Sequence, residues 1–407
     1  MLGWWSIAPR EARKSLIAAF LGWMLDAFDV MLYSLTLAWV MSDLKMDKAT
    51  AGGLGSLTLI ASALGGLMFG VIADRFGRTR ALMASILTYS IFTGASGLAQ
   101  TVGQLALFRI LLGFGMGGEW ASGAALVSET SPAEHRGKAL GFMQSAWAVG
   151  YAGAAAASGL ILPIWGWRVM FFLGVLPALF TLWVRRHVEE PALWRASHER
   201  HTATHERVAG IFHAPIRPLT IALTFMTSCT MFGWWGFNLW IPAYLSLPQA
   251  QGGIGLTALG MSGFIIAMQV GQWFGQVTFG YVSDVAGRKR AFVTYALAAA
   301  AFVLAYTTAK EPLILLLLGP FISFFGSGWA TGVAIVTAEI YRTDIRATAQ
   351  GFIYNSGRIV SAAAPFLVGT VADTRGFGVA LSMTAVAFAL AALVWIWIPE
   401  TKGRVLH

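Results

Sequence analysis

The stretch GVIADRFGRTR at residues 70–80 returns 210 residues later as GYVSDVAGRKR at residues 280–290. Each copy places an acid four residues after a glycine, and a second glycine and basic residues follow it. Further pairs align at the same offset, and they are Glu129 with Glu339, Arg136 with Arg346, Gly141 with Gly351, and Glu190 with Glu400. So many coincidences at one offset, without a gap, indicate that the chain consists of two parallel copies of one unit.

The amino-acid composition predicts that both units lie in a lipid bilayer. Of the 407 residues, 57% are hydrophobic and 12% are charged, and the mean hydropathy is +0.66. A soluble domain carries about a quarter charged residues, so this chain lacks the polar side chains to cover its surface in water. The 17 Trp and 27 Phe residues fit a bilayer, because aromatic side chains gather at its interfaces.

Apolar runs long enough to cross a membrane recur along the whole chain. A spanning helix needs about 20 apolar residues, and such runs lie at 15–41, 50–72, 81–99, 103–128, 140–163, 168–184, 218–245, 256–282, 291–308, 313–337, 349–372 and 379–398. No run shows the strict alternation of a β-barrel strand. We therefore predict an all-α membrane protein of twelve transmembrane helices in two pseudo-symmetric six-helix bundles, at residues 1–184 and 218–407.

The distribution of Lys and Arg predicts the orientation. The two termini and the loops on their side hold 21 of the 28 basic residues, whereas the opposite loops hold five. Both termini are therefore expected in the cytoplasm, with the protein in a bacterial inner membrane, and the net charge of +9 requires no nucleic-acid partner. Residues 185–217 read as a cytoplasmic linker; His198, His201 and His205 have helical spacing there, but without a carboxylate partner they favour a solvated segment over a metal site.

The paired loop motif, with Arg109 and the glycine-rich residues 113–117, resembles the major facilitator superfamily over essentially the whole chain. The resemblance implies two six-helix bundles facing a central cavity, alternating access by rocking, and a role for Arg109 in proton coupling or helix locking. Residues 26–29 and 117–120 resemble the metabolite:proton and sialate:proton symporter branches, while residues 399–403 resemble sugar porters too. Val285 stands where the second motif copy is expected to have Arg.

The loop motif predicts a gate. Gly70 and Gly280 are expected to let neighbouring helices approach closely, and Gly77 to permit a tight turn. An acid at the end of a helix needs a basic partner, and ion pairs of this kind would hold one side of the protein closed and break when it opens. The alternative is that these charges only set the topology. The predicted gating residues are Asp74, Arg75, Arg78, Glu129, Arg136, Asp284, Arg288, Glu339 and Arg346.

Five ionisable residues fall inside apolar runs, and they are Asp26, Asp29, Arg109, Glu119 and Arg358. Charges at membrane depth are costly and therefore mark function. Three acids against two bases leave one carboxylate without an obvious fixed partner, and burial or a like charge favours its protonated form. We expect proton coupling by Asp26 or Asp29 ahead of Glu119, with Arg109 in support. The alternative for each acid is a permanent ion pair with Arg109 or Arg358.

Arg358 is the predicted substrate-binding residue, because a guanidinium group presents a fork that matches a carboxylate. It lies in a polar run within an apolar segment, and Asn355 shares its helix face. The alternative is a scaffold cation that neutralises Glu119. Further candidates for substrate contact are Tyr354, Asn238, Gln272 (with Gln269 and Gln276 beside it), Tyr33, Trp120 and Tyr151.

These residues predict a proton-coupled symporter of a small organic anion, most simply a monocarboxylate such as lactate, sialate or an aromatic acid. Moving an anion against a negative-inside potential costs about 2.3 kcal/mol per 100 mV, and one proton makes a monoanion's movement electroneutral. A sugar or polyol symporter is the alternative. No His lies within a predicted span, so an enzyme is not expected, and we expect a monomer in the lipid bilayer without a cofactor.

Overall fold

The computed structural model describes residues 9–131, 136–187, 211–341 and 343–402. The described helices of the first half are α1 (Arg10–Leu44), α2 (Lys48–Phe76), α3 (Arg78–Ser96), α4 (Val102–Thr130), α5 (Arg136–Leu173) and α6 (Leu176–His187). Those of the second half are α7 (Arg217–Ser246), α8 (Ala258–Ala286), α9 (Arg288–Thr308), α10 (Pro312–Ser327), α11 (Trp329–Ile340), α12 (Thr343–Ser361) and α13 (Ala363–Val394). The predicted all-α membrane fold is confirmed.

The predicted runs map onto these helices, although helices and runs do not correspond one to one. The fifth and sixth runs share α5 and α6, because α5 continues past a non-helical residue at Gly166. The tenth run is divided between α10 and α11 at Gly328. Among the described residues, six helical stretches are long and apolar enough to cross a membrane, and two of them, Ala139–Thr181 and Ala349–Val394, have 43 and 46 residues. Each of those two is long enough for two crossings.

The repeat is also visible in the backbone, where glycines 210 residues apart share a positive φ angle. Gly77 (φ 113°) and Gly287 (φ 96°) join two helices with a single residue, and Gly166 (φ 75°) and Gly376 (φ 82°) turn the chain inside α5 and α13. Each pair is 210 residues apart. Only glycine adopts such angles readily, so the tight turn predicted at Gly77 is confirmed and has a counterpart in the second half.

The chain forms two compact units. The N-terminal unit consists of Met1–Met46, Leu57–His201 and Thr257–Gly263, and the C-terminal unit of Asp47–Ser56, Thr202–Leu256 and Phe264–His407. Within the N-terminal unit α1 packs against α4 and α5, and α3 against α4. Within the C-terminal unit α7 packs against α12 and α13, and α9 against α10 and α13. Most of the predicted linker, including its three spaced histidines, lies outside the described residues.

The close helix approach expected at Gly70 and Gly280 was predicted at the wrong glycines. A Cβ atom at either position would meet nothing within 4 Å. The contact occurs five residues earlier in each copy: a Cβ at Gly65 would lie 2.1 Å from the Phe114 carbonyl oxygen, and one at Gly275 would lie 2.1 Å from that of Phe324. Five residues turn a helix by about 140°, so the motif glycines point away from the helix that their predecessors touch.

The exposed surface is apolar, as expected for a surface in lipid. Leu160, Leu179, Leu313 and Trp397 are each more than 60% exposed, and an exposed apolar surface of this kind is unfavourable in water. Among the described residues, the buried charged side chains lie on other helices: Asp26 and Asp29 on α1, Arg109 and Glu119 on α4, and Arg358 on α12. The protein is therefore an integral membrane protein.

Candidate functional site

Three acids lie inside the N-terminal unit on two packed helices. Asp26 and Asp29 on α1 and Glu119 on α4 are all completely buried. Asp26 interacts electrostatically with both Asp29 and Glu119, and Asp29 also interacts with Arg109. The structure thus brings together the four residues predicted for proton coupling, and we call Asp26, Asp29 and Glu119 the acid cluster.

Asp29 has a cation and a hydroxyl donor beside it. The Thr93 hydroxyl lies 3.2 Å from Asp29 Oδ2 and 2.8 Å from the Tyr89 carbonyl oxygen, and it can donate its single proton to either. Arg109 interacts with the same carboxylate. The Arg109 guanidinium carbon lies 4.3 Å from the centre of the Tyr33 ring, within the range of a cation–π interaction. Tyr33, predicted as a substrate contact, is therefore a neighbour of Arg109.

Glu119 has a different environment. Within the described part of the chain, neither of its carboxyl oxygens accepts or donates a hydrogen bond. Its Oε1 atom would lie 2.5 Å from a Cβ atom at Gly22, and α1 leaves room for it only because residue 22 has no side chain. The Tyr89 side chain interacts with all three acids, and its hydroxyl also has no hydrogen-bond partner among the described residues.

Arg358 lies on α12 in the C-terminal unit and is 2% exposed. Its Nη2 atom donates a hydrogen bond to the Tyr354 hydroxyl at 3.2 Å, and its guanidinium carbon lies 5.1 Å from the centre of that ring. The neighbouring Gly357 faces α7, where Thr227 and Met231 would be the nearest contacts of a Cβ atom. Two of the predicted binding residues, the buried Arg358 and the partly buried Tyr354, are therefore in direct contact.

The predicted amide groups divide into two kinds. Asn355 Nδ2 donates to the Gly351 carbonyl and Asn238 Nδ2 to the Trp234 carbonyl, each at 3.0 Å and each within its own helix. On α8, both amide atoms of Gln269 and the Oε1 atoms of Gln272 and Gln276 are buried without a hydrogen bond to any described residue. A buried polar atom of this kind is available to bind water or a solute.

Two predicted aromatic contacts remain. Tyr151 is fully buried and forms a hydrogen bond with the Ser34 hydroxyl, so its polar end has a partner in the unit. The side chain of Trp120 lies outside the described part of the structure.

Arg288 links the loop motif to α11 in the C-terminal unit. Its guanidinium group forms ion pairs with Asp284 and with Glu339, and the Nη2–Oε1 distance to Glu339 is 2.8 Å. The Thr401 hydroxyl donates to the other Glu339 oxygen at 2.5 Å. Three predicted gating residues are thus in contact, and Thr401 joins them; we call Asp284, Arg288, Glu339, Glu400 and Thr401 the Arg288 network.

Glu400 is a member of this network that the sequence reasoning did not assign. Its carboxylate accepts the backbone N–H groups of Arg288 at 2.9 Å and Lys289 at 3.1 Å, where α9 begins after Gly287 without a side-chain cap of its own. Burial acts to raise the pKa of Glu400, but the backbone donors of Lys402, Arg288, Lys289 and Thr401 outweigh it and lower the pKa. In the sequence, the alignment of Glu400 with Glu190 in the repeat was the signal that could have identified this residue.

Of the remaining predicted gating residues, the structure describes the side chain of one. Arg75 is exposed at the end of α2. The side chains of Asp74, Arg78, Glu129, Arg136 and Arg346 lie outside the described residues.

An all-helical membrane protein with a repeated unit and with ionisable groups buried in both copies has the features of a membrane transporter. Residues 19–275 and 253–406 match the Major Facilitator Superfamily, and the chain belongs to that family. It is accordingly a transporter and not an enzyme.

The chain is similar to curated bacterial transporters along its full length. It is 34% identical to a "Putative metabolite transport protein" of Haemophilus influenzae, over 97% of this chain and 97% of the relative. It is 31% identical to a "Probable 4-methylmuconolactone transporter" of Cupriavidus pinatubonensis, over 99% and 94%. It is 30% identical to the "Sialic acid transporter NanX" of Escherichia coli, over 97% and 95%. The metabolite and sialate branches named from the motifs are confirmed.

A solved structure confirms the fold. The crystal structure of a D-xylose-proton symporter matches with a TM-score of 0.79 and 22% identity, over 97% of this chain and 100% of the other.

Proposed function

We propose that the protein is a symporter that moves a small organic anion, most simply a monocarboxylate, together with a proton. The observation that carries this proposal is the buried guanidinium of Arg358, which Tyr354 holds by a hydrogen bond. A permanently charged fork at membrane depth is costly, and it matches the geometry of a carboxylate. Two of the relatives are named for 4-methylmuconolactone and sialic acid, and both of those compounds carry a carboxylate.

The proton is assigned to the acid cluster of the N-terminal unit. One proton neutralises one monoanion, and this removes the cost of about 2.3 kcal/mol per 100 mV that an anion alone would meet. The Arg288 network is assigned the role of a gate, whose ion pairs break when the side on which it lies opens. That side is the cytoplasm, and the protein lies in a bacterial inner membrane as a monomer with both termini in the cytoplasm.

A sugar or polyol symporter is the second candidate. The buried amide atoms of Gln269 and Gln272 favour it, because amides bind hydroxyl groups in both donor and acceptor directions. The likeness to the D-xylose symporter, at 22% identity, concerns the fold alone.

The test is uptake into proteoliposomes that contain the purified full chain. Labelled lactate, sialic acid, benzoate and D-xylose are offered with and without an inward proton gradient. We expect at least one acid to accumulate and the gradient to accelerate its uptake, with empty liposomes and a proton ionophore as controls. An equal rate of acid uptake with and without the gradient would contradict the proton coupling. Accumulation of xylose alone would establish the second candidate.

A further inference from the structure

We infer that the transported acid carries hydroxyl groups, and that three glutamines of α8 bind them. These are Gln269, Gln272 and Gln276, which we call the amide face. They belong to the C-terminal unit, as does Arg358. The inference rests on the organic anion proposed above and names its chemical class, a carboxylic acid with several hydroxyl groups.

The three glutamines lie on one side of α8. Successive residues of an α-helix are about 100° apart, so Gln272 and Gln276 lie within about 60° of Gln269 around the helix axis. Gln269 and Gln272 are 2% and 1% exposed. Phe274 and Tyr281, which are more than half exposed, lie about 120–140° from Gln269. The amide face is therefore distinct from the side of α8 that faces lipid.

Close packing against α10 uses a further side of α8. The backbone at Gly271 and Gly275 touches α10, where a Cβ atom would lie 2.1 Å from the carbonyl oxygen of Pro320 or of Phe324. These two glycines lie about 120–160° from Gln269, in the direction opposite to the exposed residues. The contact with α10 and the amide face are therefore on different sides of the helix.

The amide atoms indicate which kind of ligand fits. Both amide atoms of Gln269, and the Oε1 atoms of Gln272 and Gln276, are buried without a hydrogen bond to any described residue. An amide oxygen only accepts hydrogen bonds, so these three oxygens need a ligand group that donates. A carboxylate has only acceptor atoms and fits the guanidinium group of Arg358 instead. A hydroxyl group donates and accepts, so it can satisfy both the oxygen and the nitrogen of Gln269.

One ligand can account for both the amide face and Arg358. Amide groups at membrane depth call for a functional explanation, because a buried polar group without a partner is unfavourable. A sugar or polyol would supply hydroxyl groups to the amide face but no anion to Arg358. An unsubstituted aliphatic or aromatic acid would do the reverse. An acid with several hydroxyl groups supplies both.

Matched pairs of acids test the inference on the wild-type protein. Quinate and cyclohexanecarboxylate share a ring and a carboxylate, gluconate and hexanoate share a linear chain and a carboxylate, and only the first acid of each pair carries hydroxyl groups. Isothermal titration calorimetry measures their binding, and that of sialic acid, to the purified full chain in detergent. A site that binds a substrate hydroxyl can reject the analogue without it by about 10⁴- to 10⁵-fold. We expect at least one hydroxylated acid to bind at least about 10-fold more tightly than its partner.

The outcomes separate this inference from the proposed function. Equal or tighter binding of the hydroxyl-free acids, or failure of every hydroxylated acid to bind, would overturn the inference. If lactate or benzoate is still accumulated in the uptake assay, the anion proposal stands without it. Binding of D-xylose alone would overturn the anion proposal together with the inference.

Substitutions of the amide face locate the hydroxyl-binding groups. Gln269→Met and Gln272→Met remove the amide atoms and keep the length of the side chain. We expect each to lower the affinity for the hydroxylated acid by about 3- to 10-fold and to leave that for the hydroxyl-free partner near its wild-type value. Gln251→Met is the matched control, because Gln251 is exposed before α8 begins, and it should change neither affinity.

The ratio of the two affinities is the decisive measurement, because a merely structural defect would lower both. An equal loss for both acids of a pair would show that the glutamine only supports the fold. An unchanged affinity for the hydroxylated acid in both variants would show that the amides bind only water. Either result would overturn the assignment to the amide face. Monodisperse elution in detergent identifies the variants that are folded, and the comparison of acids on the wild type needs no variant.

Discussion

Arg358 is the single residue on which the substrate proposal depends, and its surroundings define how to test it. The side chain is buried and its fork is held by Tyr354. A charge-assisted hydrogen bond contributes about 1.5–3 kcal/mol, which corresponds to roughly 10- to 150-fold in affinity. We expect Arg358→Ala to lower the affinity for the transported acid by at least the smaller factor, as measured by concentration-dependent uptake.

Arg358→Lys is the matched variant, because it keeps the charge and removes the fork. It should fall between the wild type and Arg358→Ala. Full acid uptake in Arg358→Ala would show that the anion binds elsewhere.

Tyr354→Phe tests the support of the guanidinium group. The change removes the hydroxyl that accepts from Arg358 Nη2 and keeps the ring. The donor of this hydrogen bond is charged, so the bond contributes about 1.5–3 kcal/mol, but its loss affects the anion only through the position of the guanidinium group. The affinity for the acid should therefore fall by less than in Arg358→Ala, with little change in the maximum uptake rate. An affinity loss as large as that of Arg358→Ala would instead show that the tyrosine itself binds the anion.

At the scale of the helix, the contact between α8 and α10 depends on two glycines of α8, Gly271 and Gly275, whose Cβ atoms would each lie 2.1 Å from a carbonyl oxygen of α10. A Cβ at Gly275 would lie 2.1 Å from the Phe324 carbonyl oxygen, whereas one at Gly280 on the same helix meets nothing within 4 Å. We expect Gly275→Ala to destabilise the protein by about 1–3 kcal/mol. Gly280→Ala should be neutral or stabilising by up to about 1 kcal/mol, because alanine favours the helix. Thermal unfolding in detergent compares the two, and equal melting temperatures would contradict the contact.

The start of α9 gives a pH-dependent prediction. The pKa of Glu400 is lowered, so its contribution to stability is present above the ordinary glutamate pKa of about 4.3 and disappears as the pH falls through the lowered value. We expect Glu400→Gln to cost about 1 kcal/mol or less at pH 7, because the group is largely exposed. Relative to the wild type, the cost should vanish in acid.

Glu311→Gln is the control for that measurement. Glu311 also precedes a helix, α10, but its side chain makes no capping hydrogen bond. A loss of stability in Glu311→Gln equal to that in Glu400→Gln would show that the effect is only one of net charge.

For the whole molecule, hydropathy and the repeat were sufficient to predict the fold, because a bilayer permits little besides helices. They did not predict how helices end: α5 continues past Gly166, and the tenth run is divided at Gly328. Hydropathy averages over a window, whereas these features depend on single backbone angles.

The sequence was sufficient to identify the charged residues of the site, but not to predict which residues they contact. The five intramembrane charges stood out because each is costly in lipid. Which acid Arg109 accompanies, and which glycine touches a neighbouring helix, depends on the rotation of packed helices, and residue types alone do not fix that rotation. Glu400 was missed because its function is to accept backbone N–H groups of another segment, and those groups leave no trace in side-chain chemistry.

The coupling mode is a property of the whole molecule and distinguishes the two candidate substrates. Symport of one proton with a monocarboxylate moves no net charge, so an imposed potassium diffusion potential should leave acid uptake unchanged while a pH gradient drives it. Symport of one proton with a neutral sugar moves one charge and should respond to both, at about 2.3 kcal/mol per 100 mV. Acceleration of acid uptake by an inside-negative potential would require more than one proton per monoanion.

The reversals at Gly166 and Gly376 leave almost no polypeptide between the spans on either side of them. The residues just before Gly166 are apolar and outward-facing, with Ile164 76% and Trp165 66% exposed. At the Gly166 corner we therefore expect a protease or an antibody directed at polar loops to find little to bind, whereas Asp373, Thr374 and Arg375 are exposed before Gly376. Reporter tags and accessibility labels therefore belong in connections other than the one at Gly166.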